Sequence, residues 1–182
     1  MQDVFFNICS IKQREKTLDK VLDSLSNQTI PCKINLYLNY PHSYNYAMPF
    51  EGDLGDTGKF HSISNGWNLF VDDDIIYPKD YAERLIYESS RFNCPVGVHA
   101  AILPNRHRQF TNYFDNRFVY PFWVRTKSKF VNVLGTGTLC FHSSLGFSKD
   151  FISQPNMSDC YFAVWCQLNK IPMICVDRVY GW

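Results

Sequence analysis

The chain has 182 residues, 46% of them hydrophobic and 16% aromatic, which is enough apolar side chain for one sizeable core and the usual length of a single domain, 1–182. With 18 Lys and Arg against 17 Asp and Glu, the net charge of +1 excludes the basic field of a nucleic-acid binder, so no nucleic-acid partner is expected. The N-terminus, Met1-Gln2-Asp3-Val4, has no basic region followed by an apolar stretch, and nowhere does a long apolar run occur, so neither a secretion signal nor a transmembrane span is expected.

Residues 4–9 are a short apolar run of the kind that forms a buried strand. Residues 15–27 follow with Leu18, Val21, Leu22 and Leu25 at helical spacing, and Asn27-Gln28 and Pro31 end that helix. Residues 33–39 alternate through Ile34, Leu36 and Leu38 as a second strand, and such a strand-helix-strand unit favours parallel pairing. Residues 40–64 hold Pro41, Pro49, Gly52, Gly55 and Gly58 among polar residues, which predicts loop or short irregular structure. Residues 67–71 read as a strand running into Asp72-Asp73-Asp74, with Pro78 tolerated in the first turn of a helix over about 79–91.

Residues 96–102 predict another buried strand, and 129–142 contain one more, interrupted by Gly135-Thr136-Gly137. Between them, residues 104–127 are aromatic and basic without a clear period. Ser158 can cap a last helix with Tyr161, Trp165 and Leu168 on one face, and 173–177 form a closing strand. The alternation predicts an α/β fold. Seven cysteines (Cys9, Cys32, Cys94, Cys140, Cys160, Cys166 and Cys175) make an odd count without a C-x-x-C pair, mostly in apolar runs. That pattern suits free thiols in a reducing, cytoplasmic setting, with peripheral attachment at the inner face of a membrane left open.

Three consecutive carboxylates at the carboxyl end of an apolar strand raise one another's pKa unless something positive sits beside them. Ligands bind beyond such strand ends in open parallel sheets, and hard carboxylate oxygens select Mg²⁺ or Mn²⁺. An ion bridging these carboxylates to a diphosphate fits the run. So does a solvated turn whose negative charge favours the N-terminus of the next helix.

The segment Phe70-Val71-Asp72-Asp73-Asp74-Ile75-Ile76-Tyr77-Pro78-Lys79-Asp80-Tyr81 resembles the aspartate motif and following helix of family 2-type glycosyltransferases, of the GT-A fold. Ser10-Ile11-Lys12-Gln13-Arg14-Glu15 is similar to that family's nucleotide loop, and Ser26-Asn27-Gln28-Thr29 to the end of its first helix. Gly135-Thr136-Gly137 matches the small-residue segment facing the sugar, and Ser158-Asp159 stands where the family has a Glu-Asp pair. Gly52-Asp53-Leu54-Gly55-Asp56-Thr57-Gly58-Lys59 resembles a loop ahead of the aspartate motif in some bacterial members. The segments fall in the family's order over nearly the whole chain.

The resemblance implies a GT-A-like domain with a mostly parallel central sheet flanked by helices, and metal-dependent, inverting transfer from a nucleotide-sugar, UDP-linked, to a glycan or lipid-linked acceptor of a bacterial cell surface. It implies Asp72 near the ribose or the metal waters and Asp74 as ligand of Mn²⁺ or Mg²⁺, with Asp73 contacting the donor or holding the turn. Asp159 becomes the general base, since a carboxylate suits removal of an acceptor hydroxyl's proton. Ser10, Ile11, Arg14, Gly135 and Thr136 would contact the donor, and Lys59 would meet its phosphates. Asn39 stands where the family carries an acidic residue that reads the base, and its amide can serve a pyrimidine edge. Ser158 replaces the family's Glu, and the chain ends at Tyr180-Gly181-Trp182, where relatives continue into a lid. Arg106, His107, Arg108, Arg125, Lys127 and Lys129 with Phe110, Tyr113, Phe114, Phe118, Tyr120, Phe122 and Trp123 could form an acceptor wall or belong to the core. His61, His99 and His142 carry no assigned chemistry. A non-catalytic nucleotide-sugar-binding module and a nucleotidyltransferase remain alternatives, the latter weakened because 10–15 contain no glycine.

Overall fold

The computed structural model describes residues 2–103, 117–179 and 182. Among the described residues ten strands and three α-helices follow in order: β1 (Val4–Ser10), α1 (Glu15–Ser26), β2 (Lys33–Leu38), β3 (Trp67–Val71), α2 (Tyr81–Phe92), β4 (Val96–Gly97), β5 (Ala100–Ile102), β6 (Phe118–Tyr120), β7 (Lys129–Phe130), β8 (Val133–Leu134), β9 (Thr138–His142), α3 (Ser158–Leu168) and β10 (Ile174–Cys175). The main sheet has the order β2-β1-β3-β9-β4-β10-β7, and a second has β6-β5-β8. In the main sheet β1, β2, β3, β4 and β10 point one way, while β9 and β7 run against them. This is the mostly parallel α/β sheet the sequence predicts.

Alternation along each strand divides the core in two. Leu69 and Val71 of β3 and Cys140 of β9 join Leu18, Val21 and Leu25 of α1 and Tyr81, Ala82 and Leu85 of α2 on one face. Phe70, Leu139 and Phe141 face the other way, onto Phe162, Ala163 and Cys166 of α3 and the small sheet. Gln28 ties the two helices of the first face together: its amide nitrogen donates to Ser24 O and Pro78 O, and its oxygen accepts from Ala82 N at 3.0 Å.

Five expectations are corrected. The strand predicted over 96–102 divides into β4 and β5, because the Val98 and His99 amides donate to the Thr138 hydroxyl and turn the chain out of the main sheet. The stretch 129–142 divides into β7, β8 and β9 because β7 and β9 pair within the main sheet while β8 pairs with β5 in the small one. Helix α2 starts at Tyr81, with Pro78 outside its first turn. On α3 the buried residues are Ser158, Phe162, Ala163 and Cys166, whereas Leu168 is 69% exposed. That helix is apolar on several faces, so periodicity does not choose among them. Phe162 wins because its ring packs 5.4 Å from Phe141 and 5.0 Å from Phe147. Met157, not Ser158, is the N-cap position of α3.

All seven cysteines are free. Among the described residues no helix is long and apolar enough to cross a membrane. Arg106, His107, Arg108, Phe110, Tyr113 and Phe114 lie outside the described residues. Of the rest of that aromatic and basic stretch, Phe118 is exposed on β6, and Phe122 packs against the first core face. Arg178, 2% exposed, gathers this stretch onto the C-terminal segment by donating to the carbonyls of Tyr120, Pro121 and Phe122.

Candidate functional site

Sheet register builds the site. Val71, the last residue of β3, pairs with Thr138, the first of β9, so Asp72 leaves the sheet beside the incoming Gly135-Thr136-Gly137 segment. The approach is so close that a Cβ at Gly137 would overlap the Asp72 carboxylate. Tyr77 locks the two segments together from behind: its hydroxyl donates to Gly137 O at 2.7 Å and accepts from Asp72 N at 2.8 Å. The sequence reading assigned Tyr77 no role, since only the paired register of β3 and β9 brings its two partners within reach of one hydroxyl.

Positive charge does sit beside the acidic run, and the chain itself supplies it. Arg14 donates to Asp73 at 2.6 Å and lies 3.1 Å from Asp74, while Ser10 Oγ donates to Asp73 at 2.5 Å. Asp73 is 5% exposed and its carboxylate is taken up by these contacts, so it holds the 10–14 loop against the run. Lys59 pairs with Asp72 from a 3-10 turn, Gly55–Phe60. Phe60, 1% exposed, stacks 4.3 Å from Phe70 of β3 and anchors that turn in the core, where aromatic pairs add about 0.5–1.5 kcal/mol beyond their burial. Burial by itself would lower the Lys59 pKa, but the Asp72 carboxylate paired with it, with Asp159 nearby, overcomes it and holds the ammonium above its usual range. Burial also pushes the neighbouring Cys9 thiol up to about 11, which leaves it un-ionised.

The same 3-10 turn reaches the opposite wall. Asp56 accepts from the backbone nitrogens of Asn156 and Ser158 and from the Ser158 hydroxyl, so its carboxylate satisfies free donors at the start of α3. Asp159, the next residue, has its Oδ1 held by Thr136 N at 2.8 Å and Thr136 Oγ1 at 2.6 Å. Its Oδ2 receives no hydrogen bond from the described residues. Asp56 was not singled out in the sequence, although the Ser158 replacement pointed to a missing carboxylate in this place.

A cleft of about 520 Å³ lies between these walls, lined by Lys59, Asp72, Asp74, Gly135, Thr136 and Asp159 among the expected site residues, and by Asp56 and His99 among the unexpected ones. Ser10, Arg14 and Asp73 do not line it; Ser10 and Arg14 hold Asp73 beside the two aspartates that do. Ile11 and Asn39 do not line it: Ile11 is 40% exposed, and the Asn39 side chain is bonded at both ends to the backbone of Leu54 and Gly55. Among the described residues no group of three or more His, Cys, Asp or Glu is arranged to hold a metal ion. The adjacent carboxylates of Asp72 and Asp74 on one wall of the cleft nevertheless fit Mg²⁺ or Mn²⁺, which are commonly bound by one or two carboxylates together with substrate phosphates and water.

His99 has its pKa lowered from 6.5, chiefly by burial. The folded protein then resists protonating it while the unfolded chain does not. Its contribution to stability is therefore complete above pH 6.5 and declines as pH falls through 6.5 toward the lowered folded value. Urea midpoints measured at pH 7.5 and 5.5 should drop more for the wild type than for His99→Gln.

The fold is the GT-A-like α/β fold of glycosyltransferases, with the cleft at the carboxyl ends of its parallel strands. Among solved structures it is similar to S. aureus TarS, with a TM-score of 0.63 at 11% identity over 99% of this chain and 36% of that one. The crystal structure of TarS 1-349 in complex with UDP gives a TM-score of 0.63 at 12% identity, covering 98% of this chain and 59% of that one. TarS 1-349 in complex with UDP-GlcNAc gives 0.50 at 13% identity, over 78% and 46%. The chain thus spans less than two thirds of the length of each of these structures. No protein-family model and no curated protein sequence matches it.

Proposed function

We propose that the protein is a nucleotide-sugar-dependent glycosyltransferase that moves a sugar from a UDP-linked donor to a hydroxyl of a glycan or lipid-linked acceptor, with inversion. The observation that carries this reading is a single cleft with a carboxylate pair and a buried lysine on one wall and the half-satisfied Asp159 on the other. The complexes of TarS with UDP and UDP-GlcNAc support the donor class.

In this reading Asp74, with Asp72, would hold Mn²⁺ or Mg²⁺, and the bound ion would offset charge developing on the leaving diphosphate. Lys59 contributes a fixed positive charge on the same wall, in a site where burial strengthens it. Thr136 orients Asp159 through its Oδ1, and the Oδ2 takes the proton of the acceptor hydroxyl. The acceptor oxygen forms its bond to the anomeric carbon as the bond to the diphosphate breaks, and the electron pair leaves with the nucleotide.

Calorimetric titration with UDP- and GDP-sugars, with and without Mn²⁺, on the wild type and Asp74→Ala tests the donor side. Binding of the UDP-sugar should require the ion and be abolished by the substitution. Equal binding without the metal would overturn the proposed ion site.

A further inference from the structure

A second recess, of about 340 Å³, adjoins the cleft and shares Asp56, His99, Gly135 and Asp159 with it. Asp159 therefore stands in the wall between two chambers of different character. The first holds the acidic pair and Lys59. The second is floored by Ala100, Ala101 and Val133, and bounded by Val119 and Met157, with polar side chains at its edge from Asn156, Arg117, Ser158, Cys160 and the shared residues. We infer that this recess binds the acceptor, as a single sugar ring or the end of a polyol presenting one hydroxyl to Asp159.

Four observations converge on that assignment, which rests on the proposed transferase function. An in-line displacement needs the incoming hydroxyl on the side of the anomeric carbon away from the diphosphate, and Asp159 borders both chambers. An apolar floor of small side chains with a few polar groups at the edge is what a saccharide requires, since its C–H face lies flat while its hydroxyls seek hydrogen bonds. The volume is at the lower end of ligand pockets, which run about 300–1,000 Å³, and so suits one ring better than an extended segment. Asp56 is already committed to the start of α3, which leaves the Oδ2 of Asp159 as the carboxylate oxygen on the shared wall without a bond from the described residues.

Val119 is 38% and Met157 44% exposed, so a larger side chain at either can fill the recess without entering the core. The test uses saturation-transfer NMR with a panel of methyl glycopyranosides and acyclic polyols, in the presence of UDP, on the wild type, Val119→Trp and Met157→Trp. UDP affinity is measured on each by calorimetry. At least one panel member should bind the wild type and lose affinity tenfold or more in both variants, with UDP affinity unchanged within twofold. If UDP binds but no saccharide or polyol does, or if binding survives both substitutions, the recess is not the acceptor site. Failure of UDP to bind the wild type would instead overturn the donor reading from which this inference starts.

Discussion

Asp159→Asn is expected to leave UDP-sugar binding within twofold of the wild type while cutting sugar transfer by roughly 10²–10⁴-fold, the usual contribution of a general base. The substitution is chosen for what it keeps. An asparagine Oδ1 can still accept from Thr136 N and Thr136 Oγ1, so the first turn of α3 and the 135–137 segment stay where they are. What disappears is the second, basic oxygen, the one without a hydrogen bond from the described residues. Donor titration by calorimetry and UDP release measured with acceptor present separate the two effects. Loss of donor binding together with turnover would make Asp159 a structural residue, and unchanged turnover would remove it as the base.

The second large effect concerns Asp72 and Lys59, which form one ion pair with unequal surroundings: the lysine side chain is 4% exposed and the aspartate 39%. Removing the aspartate strands a buried ammonium with no other carboxylate bonded to it among the described residues. Breaking a buried pair in that way costs about 3–5 kcal/mol. Removing the lysine charge leaves a carboxylate that water can reach, and exposed pairs are worth only about 0–1 kcal/mol. In urea unfolding, Asp72→Ala should therefore be far more destabilising than Lys59→Met, although both should weaken binding of a UDP-sugar. Equal losses would mean that the lysine is solvated. A loss of activity in Asp72→Ala must accordingly be read beside its stability, whereas Asp74, 46% exposed in its side chain, gives up only an exposed pair with Arg14, worth about 0–1 kcal/mol, and is the cleaner report on the ion site.

This asymmetry also explains why the acidic run is legible in the sequence and its neutralisation is not. Three adjacent carboxylates demand positive charge by electrostatics alone, and the sequence states that demand. Arg14 and Lys59 answer it from loops 13 and more residues away, on different elements, and only the paired β1, β3 and β9 with the Phe60 anchor bring them together. The resemblance placed both residues near the donor without indicating that each is already engaged with an aspartate.

Local chemistry determines much of this protein. The strand-helix-strand opening, the strand that ends just before Asp72, the free cysteines and the presence of a helix carrying Asp159 near its start all follow from short-range patterns of polarity and from capping and breaking residues. Tertiary structure alone decided where 96–102 leaves the main sheet, which face of α3 is buried, and that Asp56, Tyr77 and His99 belong to the site. The physical reason is common to these cases. Each depends on a hydrogen bond or a packing contact between residues far apart in the chain, such as Thr138 with His99, Phe162 with Phe141, and Asp56 with Ser158. Periodicity records the polarity of a residue's own element and carries no information about which partner the folded sheet will set against it.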